Sequence, residues 1–418
     1  MRDTLDVNAG KNRIWNILGG IVSVLLCAAF LVFLIIRKNN IRAEELLLSQ
    51  TSEPLPQITG EELFPEWYEE DNISDGHEVS NGEGNADANN MAENTYRLPD
   101  KDTVTFTFAG DVLLDEEYAV MSTYRANGSV LEACIAPELL EIMRGSDVFM
   151  INNEFPYTNR GIPLANKAFT FRADPANVQL LDEMGVDIVS LANNHASDYG
   201  EISLLDTLDT LNEAGIPYVG AGKDLKEASK VVFYEKDGLK VGIVSATEVE
   251  RLASPDTKGA TENSPGTFRC FQNDALEDVI RDAKTKCDFL IVYVHWGTES
   301  TDELDWSQPG QAVDFTAAGA DVIIGAHPHV LQEIAYVNDV PVFYSLGNYW
   351  FNSKTQDSCL VTLEIGSEGL VSAKFIPCRT EGSKTYLATD AEAERILNYM
   401  RELSEGVNID VNGYVTKE

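Results

Sequence analysis

Five histidines occur in 418 residues, and four of them, His195, His295, His327 and His329, fall in short segments rich in glycine, asparagine and acid. The segments of interest are Gly110-Asp111-Val112, Asn152-Asn153-Glu154, Ala192-Asn193-Asn194-His195, His295-Trp296-Gly297-Thr298-Glu299 and Gly325-Ala326-His327-Pro328-His329. Together they offer carboxylate, amide oxygen and imidazole, and no thiolate. Such donors suit Mn, Fe, Zn or Mg better than a cysteine-held structural zinc. Taken singly, each segment has a structural explanation. A Gly-Asp pair after a strand makes a turn, Asn153-Glu154 makes a cap, and His295 closing an apolar strand is a satisfied core group. His327 and His329 say more: at i and i+2 on an extended segment, two imidazoles point to one side and can face one ion. The same donors recurring in all five segments favour a shared site over five separate accidents.

For these donors to meet, strands must deliver them to one edge of a sheet. β-rich runs are predicted at 104–109, 148–152, 187–191, 230–234, 241–245, 289–295, 322–324, 333–336, 342–345, 360–365 and 370–377. Helices are predicted at 131–143, 176–183, 201–214, 274–284, 308–318 and 391–403. Each of the five segments then stands at the carboxyl end of a strand, the edge where α/β folds gather ligands. Early strands separated by helices favour parallel βαβ units, and late strands joined by short turns favour hairpins. The combination predicts an α/β sandwich of two sheets covered by helices. Ser345–Asn348 reads as a turn lining the same edge, with Asn348 as a hydrogen-bond donor. Val219–Asp224 imitates a nucleotide loop but lacks its third glycine, and reads as a turn.

Composition narrows the partners. With 44% hydrophobic residues the chain can bury a sizeable core, and 68 acidic against 31 basic residues give a net charge of -37. Nucleic acid is excluded, because phosphate binding runs on Lys and Arg. A long polyanion is also repelled unless cations or a basic patch intervene. The six cysteines include no CxxC pair, which excludes a cysteine-rich zinc module. Cys359 and Cys378 could bridge across the last hairpin if the register matched.

Residues 14–36 are almost wholly apolar and flanked by Lys11, Arg13, Arg37 and Lys38. As a helix they would span roughly 34 Å, enough to cross a bilayer. The expected order is a cytoplasmic tail (1–13), a retained transmembrane anchor (14–36), an acidic disordered linker (37–101) that holds His77, a folded domain outside the cytoplasm (102–404) and a frayed tail (405–418).

The runs FAGDVLLDEEY, NNEFPYT, DIVSLANNHASDYG, VYVHWGTE and GADVIIGAHPHVLQ, with YSLGN after them, together resemble the CapA-type capsule synthesis proteins. These belong to poly-γ-glutamate systems and are related to calcineurin-like metallophosphoesterases. The resemblance spans about 103–377 and implies a two-sheet αββα sandwich of the metallophosphoesterase type, preceded by the single transmembrane helix. It implies a divalent metal (Mn, Zn or Fe), one ion firmly bound and a second labile or absent. Asp111 would be a terminal ligand and Glu154 a bridging one. Asn194, His295 and His327 would hold one ion, and His329 the other. His195 would face the substrate as general acid or transition-state stabiliser, with Asn193, Glu299 and Asn348 on the substrate side. Two departures weaken the first metal position: the usual Asp-x-His reads Asp111-Val112-Leu113, and the bridging aspartate is Glu154. The implied partners are the membrane, an anionic cell-surface polymer or phosphoester substrate, and other capsule synthesis subunits. The activity is then metal-dependent hydrolysis, or a binding role in a synthesis and export complex with little or no turnover.

Overall fold

The structure is a computed structural model and describes residues 94–249 and 257–418. The expected anchor at 14–36 and nearly all of the linker lie outside the described residues. Among the described residues no helix is long and apolar enough to cross a membrane.

Two mixed sheets stack face to face. In the first, Val104–Val112, Val148–Asn153, Ile188–Ser190 and Tyr218–Val219 run parallel in that order. Gln356–Gly366 joins antiparallel beside Val104–Val112, followed by Gly369–Glu381 and Lys384–Leu387 as hairpins. In the second, Leu239–Thr247, Phe289–His295, Val322–Ala326 and Val340–Phe343 run parallel, flanked by Val232–Lys236 and Ile334–Val337 antiparallel. Phe289–His295 is buried along its whole length, which is why FLIVYVH lacks alternation: a strand covered on both faces must be apolar on both.

The core divides into three layers. Between the sheets, Phe106, Phe108 and Met150 pack with Ile243, Ile291, Tyr293 and Ile324. Outside the first sheet lie the helices Ala119–Ala126, Pro137–Gly145, Gln179–Met184 and Glu201–Ala214, whose buried faces share a second cluster. Outside the second sheet, Asp274–Lys284 and Gln308–Ala318 close a third. The helix–sheet–sheet–helix order is the expected one.

Several local expectations fail. The helix predicted at 131–143 is a 3-10 turn at Leu131–Ala133 and a separate helix, Pro137–Gly145. Pro137 has no N–H to continue a helix and sits at the first turn of a new one. The domain begins before 102, because Thr95–Arg97 pairs in parallel with Val232–Lys236 as an edge strand. Residues 405–418 are not a frayed tail: Val407–Ile409 and Val415–Lys417 form a ribbon whose Val407, Ile409 and Val415 enter the central core. Their period-two spacing was the signal. Cys359 and Cys378 occupy different core layers. The ladder sets Cys359 opposite Pro377 and Cys378 opposite Ser358, and that offset of one turns the two thiols to opposite faces.

Candidate metal centre

The parallel strands of both sheets finish at one edge, where the segment 344–350 crosses from the second sheet to pair with Val104–Val112. Glycine permits the crossing. A Cβ on Gly110 would stand 1.9 Å from Gly347 O, and the Asp111 N–H donates to that same carbonyl at 3.1 Å. The close approach sets Asp111 facing inward, next to Asn152 in the ladder.

Asp111, Glu154 and His295 have no exposed surface, and His327 is 4% exposed. His329 Nδ1 lies 2.9 Å from Asp111 Oδ2. The Asn152 amide nitrogen donates to Asp111 Oδ1 at 2.7 Å and lies 3.2 Å from Glu154 Oε2 and 3.3 Å from His295 Nδ1. Asn194 Oδ1 meets His295 Nε2 at 2.9 Å. Among the described carboxylate and imidazole groups, two buried atoms, Glu154 Oε1 and His327 Nδ1, have no hydrogen-bond partner. Glu154 Oε1 stands 3.9 Å from His195 Nε2, 3.9 Å from His295 Nε2 and 3.8 Å from His329 Nε2. Unpaired buried acceptors are rare and costly. An oxygen ringed by imidazole nitrogens just beyond hydrogen-bond reach has the spacing of ligands around a common cation. The sets Glu154–His295–His327 and Asp111–Glu154–His329 each bring one ligand atom per residue within 4.8 Å of the others. The residues present fit a divalent cation.

The two histidines of the HPH run do not sit on an extended segment. His327 has φ +100° and His329 φ +61°, and each such non-glycine conformation costs on the order of 1–3 kcal/mol. The backbone folds back after Val322–Ala326, and the imidazoles converge through that turn, with ring centroids 5.8 Å apart, rather than through strand alternation.

Electrostatics favours ligation. Burial holds His295 well below the usual imidazole range, and burial with the charge of His329 brings His327 down to about 3. Both therefore present neutral lone pairs at neutral pH, the form a metal requires. Burial, reinforced by the neighbouring Asp111 charge, pushes Glu154 well up. Burial also opposes ionisation of Asp111, but the His329 and Asn152 hydrogen bonds outweigh it and hold that carboxyl down. The two neighbouring acids are thus pushed in opposite directions, and a bound cation would offset the penalty on Glu154.

Beside the centre, His195 Nδ1 lies 2.7 Å from Asp198 Oδ2, and that oxygen also accepts from Phe171 N at 2.7 Å. Lys167 Nζ pairs with Asp198 Oδ1 at 2.7 Å and donates to Asn194 O. The His195 ring packs, tilted by 30°, against Phe171, with centroids 4.2 Å apart. A cavity of about 340 Å³ opens here, lined by Lys167, Phe169, Asn194, His195, Glu299 and His327 among others.

Asp111, Glu154, Asn194, His195, His295, His327 and His329 are therefore brought together. Asn193 is not on the substrate side: its amide donates to Asn152 Oδ1 and Asn153 O, both at 3.0 Å, and its oxygen accepts from His195 N. Committed on both ends, it braces two loops. Asn348 is buried, one of its amide N–H groups donates to Gln356 Oε1 at 3.3 Å, and its Oδ1 has no hydrogen-bond partner. Glu299 stands exposed at the cavity wall. Sequence reasoning assigned no role to Asn152, Asp198 or Lys167. The spacing His195-x-x-Asp198 was a legible signal, whereas nothing local marks Lys167.

Fold and site define an α/β protein of two stacked sheets whose shared edge carries a buried histidine–carboxylate centre suited to a divalent cation. The family model described as bacterial capsule synthesis protein PGA_cap matches residues 105–353, and the chain belongs to that family. It is 31% identical over 273 residues to the PGA biosynthesis protein CapA of Bacillus subtilis (strain 168), covering 64% of this chain and 69% of that one. It is 27% identical over 318 residues to the capsule biosynthesis protein CapA of Bacillus anthracis, covering 73% and 75%. Among solved structures it is similar to the sulfate thiohydrolase SoxB of Thermus thermophilus, with 13% identity, 69% of this chain and 58% of that one covered, and a TM-score of 0.39. A likeness that weak bears on neither site nor chemistry.

Proposed function

We propose that this chain is a metal-dependent hydrolase of capsule or poly-γ-glutamate biosynthesis, acting on a phosphoester or an anionic cell-surface polymer. In this reading the domain is of the metallophosphoesterase type and is held outside the cytoplasm by a membrane anchor at 14–36. The observation that carries the reading is Glu154 Oε1, buried, unpaired and 3.8–3.9 Å from three imidazole nitrogens. Asp111, Glu154, Asn194, His295, His327 and His329 would hold the cation. When bound, it would polarise an ester oxygen and bring the pKa of a coordinated water toward about 7. The chain's own contribution is orientation and proton handling. Asp198 engages Nδ1 of His195 and leaves Nε2, on the Glu154 side, as the atom that moves a proton. Lys167 balances the Asp198 charge, so the pair holds the imidazole without adding net charge to the cavity.

A second reading, a binding component of a synthesis and export complex with little or no turnover, draws support from Leu113. That side chain is buried in the outer core where the related hydrolases would supply an imidazole. One experiment separates the two. The full chain is purified in detergent, its metal content is measured, and hydrolysis of bis(p-nitrophenyl) phosphate is followed with Mn(II) or Zn(II), beside His195→Ala. The hydrolase reading expects turnover that falls about 10²-fold or more in the variant with metal content retained. Metal without turnover in either protein favours the binding role, and absence of stoichiometric metal overturns both. Anchoring is tested by membrane fractionation of cells expressing the full chain and a deletion of 1–36, with release of the deletion as the expected result.

A further inference from the structure

The first cation position gathers three carboxylate and imidazole donors among the described residues. Asp111, Glu154 and His329 converge there, and the fourth donor that an Asp-x-His run would supply is Leu113, buried at 1% exposure among Leu114, Val120 and other outer-core residues. A divalent ion held by protein generally takes four or more donors. Among the described residues, a third set of ligand atoms lies within 4.8 Å: Glu299 with His327 and His329. Glu299 is therefore a carboxylate beside His329, a donor of that position, and beside His327, on the wall of the open cavity.

The chain holds Glu299 in that place. Ser300 N donates to Pro328 O, between the two histidines, at 2.8 Å. Gln332 Nε2 donates to Thr301 O and Glu303 O, each at 3.2 Å, and Gln308 Nε2 is tied to Gln332 Oε1 at 2.8 Å. At Gly297 φ is +86°, and a Cβ there would stand 2.8 Å from the Gln308 side chain. The turn out of Phe289–His295 thus depends on a glycine, and a non-glycine residue with positive φ, Ser300 at +62°, follows. So much bracing serves little purpose for a solvated acid but does hold a ligand in place. The Glu299 charge also reaches Glu154, whose ionisation it opposes, so the two acids share one field that a cation would neutralise.

We propose that Glu299 is a metal ligand, supplying from the cavity mouth the donor that the sequence lacks at Leu113, and that occupancy of the second, weaker ion depends on it. The inference rests on the reading of the centre as a cation site. The test is Mn(II) binding to the full chain in detergent, with free Mn(II) counted by its electron paramagnetic resonance signal, for the native protein and Glu299→Gln. Two ions per native chain are expected, with the weaker one loosened about 10-fold or more in the variant, since loss of even an outer partner costs that much. The tighter ion should bind equally in both. A single ion in the native chain, or a weaker ion indifferent to Glu299→Gln, overturns the role of Glu299 and leaves the cation site standing. No Mn(II) bound to the native chain overturns the cation site itself. Glu299 is exposed, so the variant should retain the native melting temperature in the presence of chelator, and a lowered one would show a structural role and overturn the assignment.

Discussion

The Asn152 amide nitrogen donates to Asp111 Oδ1 at 2.7 Å, and the two residues are also neighbours across the strand ladder. The same nitrogen lies near Glu154 Oε2 and His295 Nδ1, so one neutral side chain spaces two carboxylates and orients a third donor. The backbone pairing fixes where Asn152 starts, and the side chain completes a bridge that electrostatic repulsion between the acids would otherwise open.

Replacing that bridge should therefore matter most when no cation is present. For Asn152→Ala the chelated protein is expected to lose about 1–3 kcal/mol, the cost of stranding buried acceptors. Saturating Mn(II) should recover part of that loss, because a cation between Asp111 and Glu154 would take over the bridging that the Asn152 amide supplies. Denaturant melts of both proteins with chelator and with Mn(II) check this. An equal deficit in the two conditions would contradict it.

The buried pair Lys167–Asp198 predicts an asymmetric cycle. Asp198 retains Phe171 N and His195 as partners when Lys167 is removed, whereas Lys167 without Asp198 keeps only Asn194 O. Asp198→Asn should cost about 3–5 kcal/mol, since it leaves an uncompensated buried charge, and Lys167→Met should cost less. The double variant should be more stable than Asp198→Asn alone, a coupling that equilibrium unfolding of the four proteins measures.

Glu248 gives the pH prediction. Its N–H donates to His295 O at 2.9 Å, and burial, aided by the Asp305 charge, raises its carboxyl to about 7. The folded value lies above the unfolded one near 4.5, so the folded state keeps its proton longer. Stability from this group is full below about pH 4.5 and is lost as pH rises through about 7. Glu248→Gln, referred to its difference from the native protein near pH 4, should gain about 1–3 kcal/mol on it by pH 8. Unfolding free energies at the two pH values decide it, and parallel curves would refute the assignment.

Much of the fold was legible because it is written in local pattern. Phe289–His295, Glu201–Ala214, Asp274–Lys284 and Gln308–Ala318 match their expected bounds, each carrying a periodicity that burial on one or two faces imposes. The misses fall where pairing with a distant partner overrides pattern. Thr95–Arg97 is a strand only because Val232–Lys236 offers an edge, and the ribbon at 407–417 is ordered by a core built from residues far earlier in the chain.

The amino-acid order alone determined the chemistry on offer: oxygen and imidazole donors, no thiolate, each placed where a strand runs out. Tertiary structure decided how each donor is used. It spent Asn193 on bracing, placed Lys167 behind Asp198, folded His327 and His329 together through positive φ, and left Glu154 Oε1 without a partner. The reason is geometric. Residue type sets what an atom can bind, but whether it finds a partner depends on dihedrals and registers shared with residues a hundred or more positions away, and no local pattern encodes those.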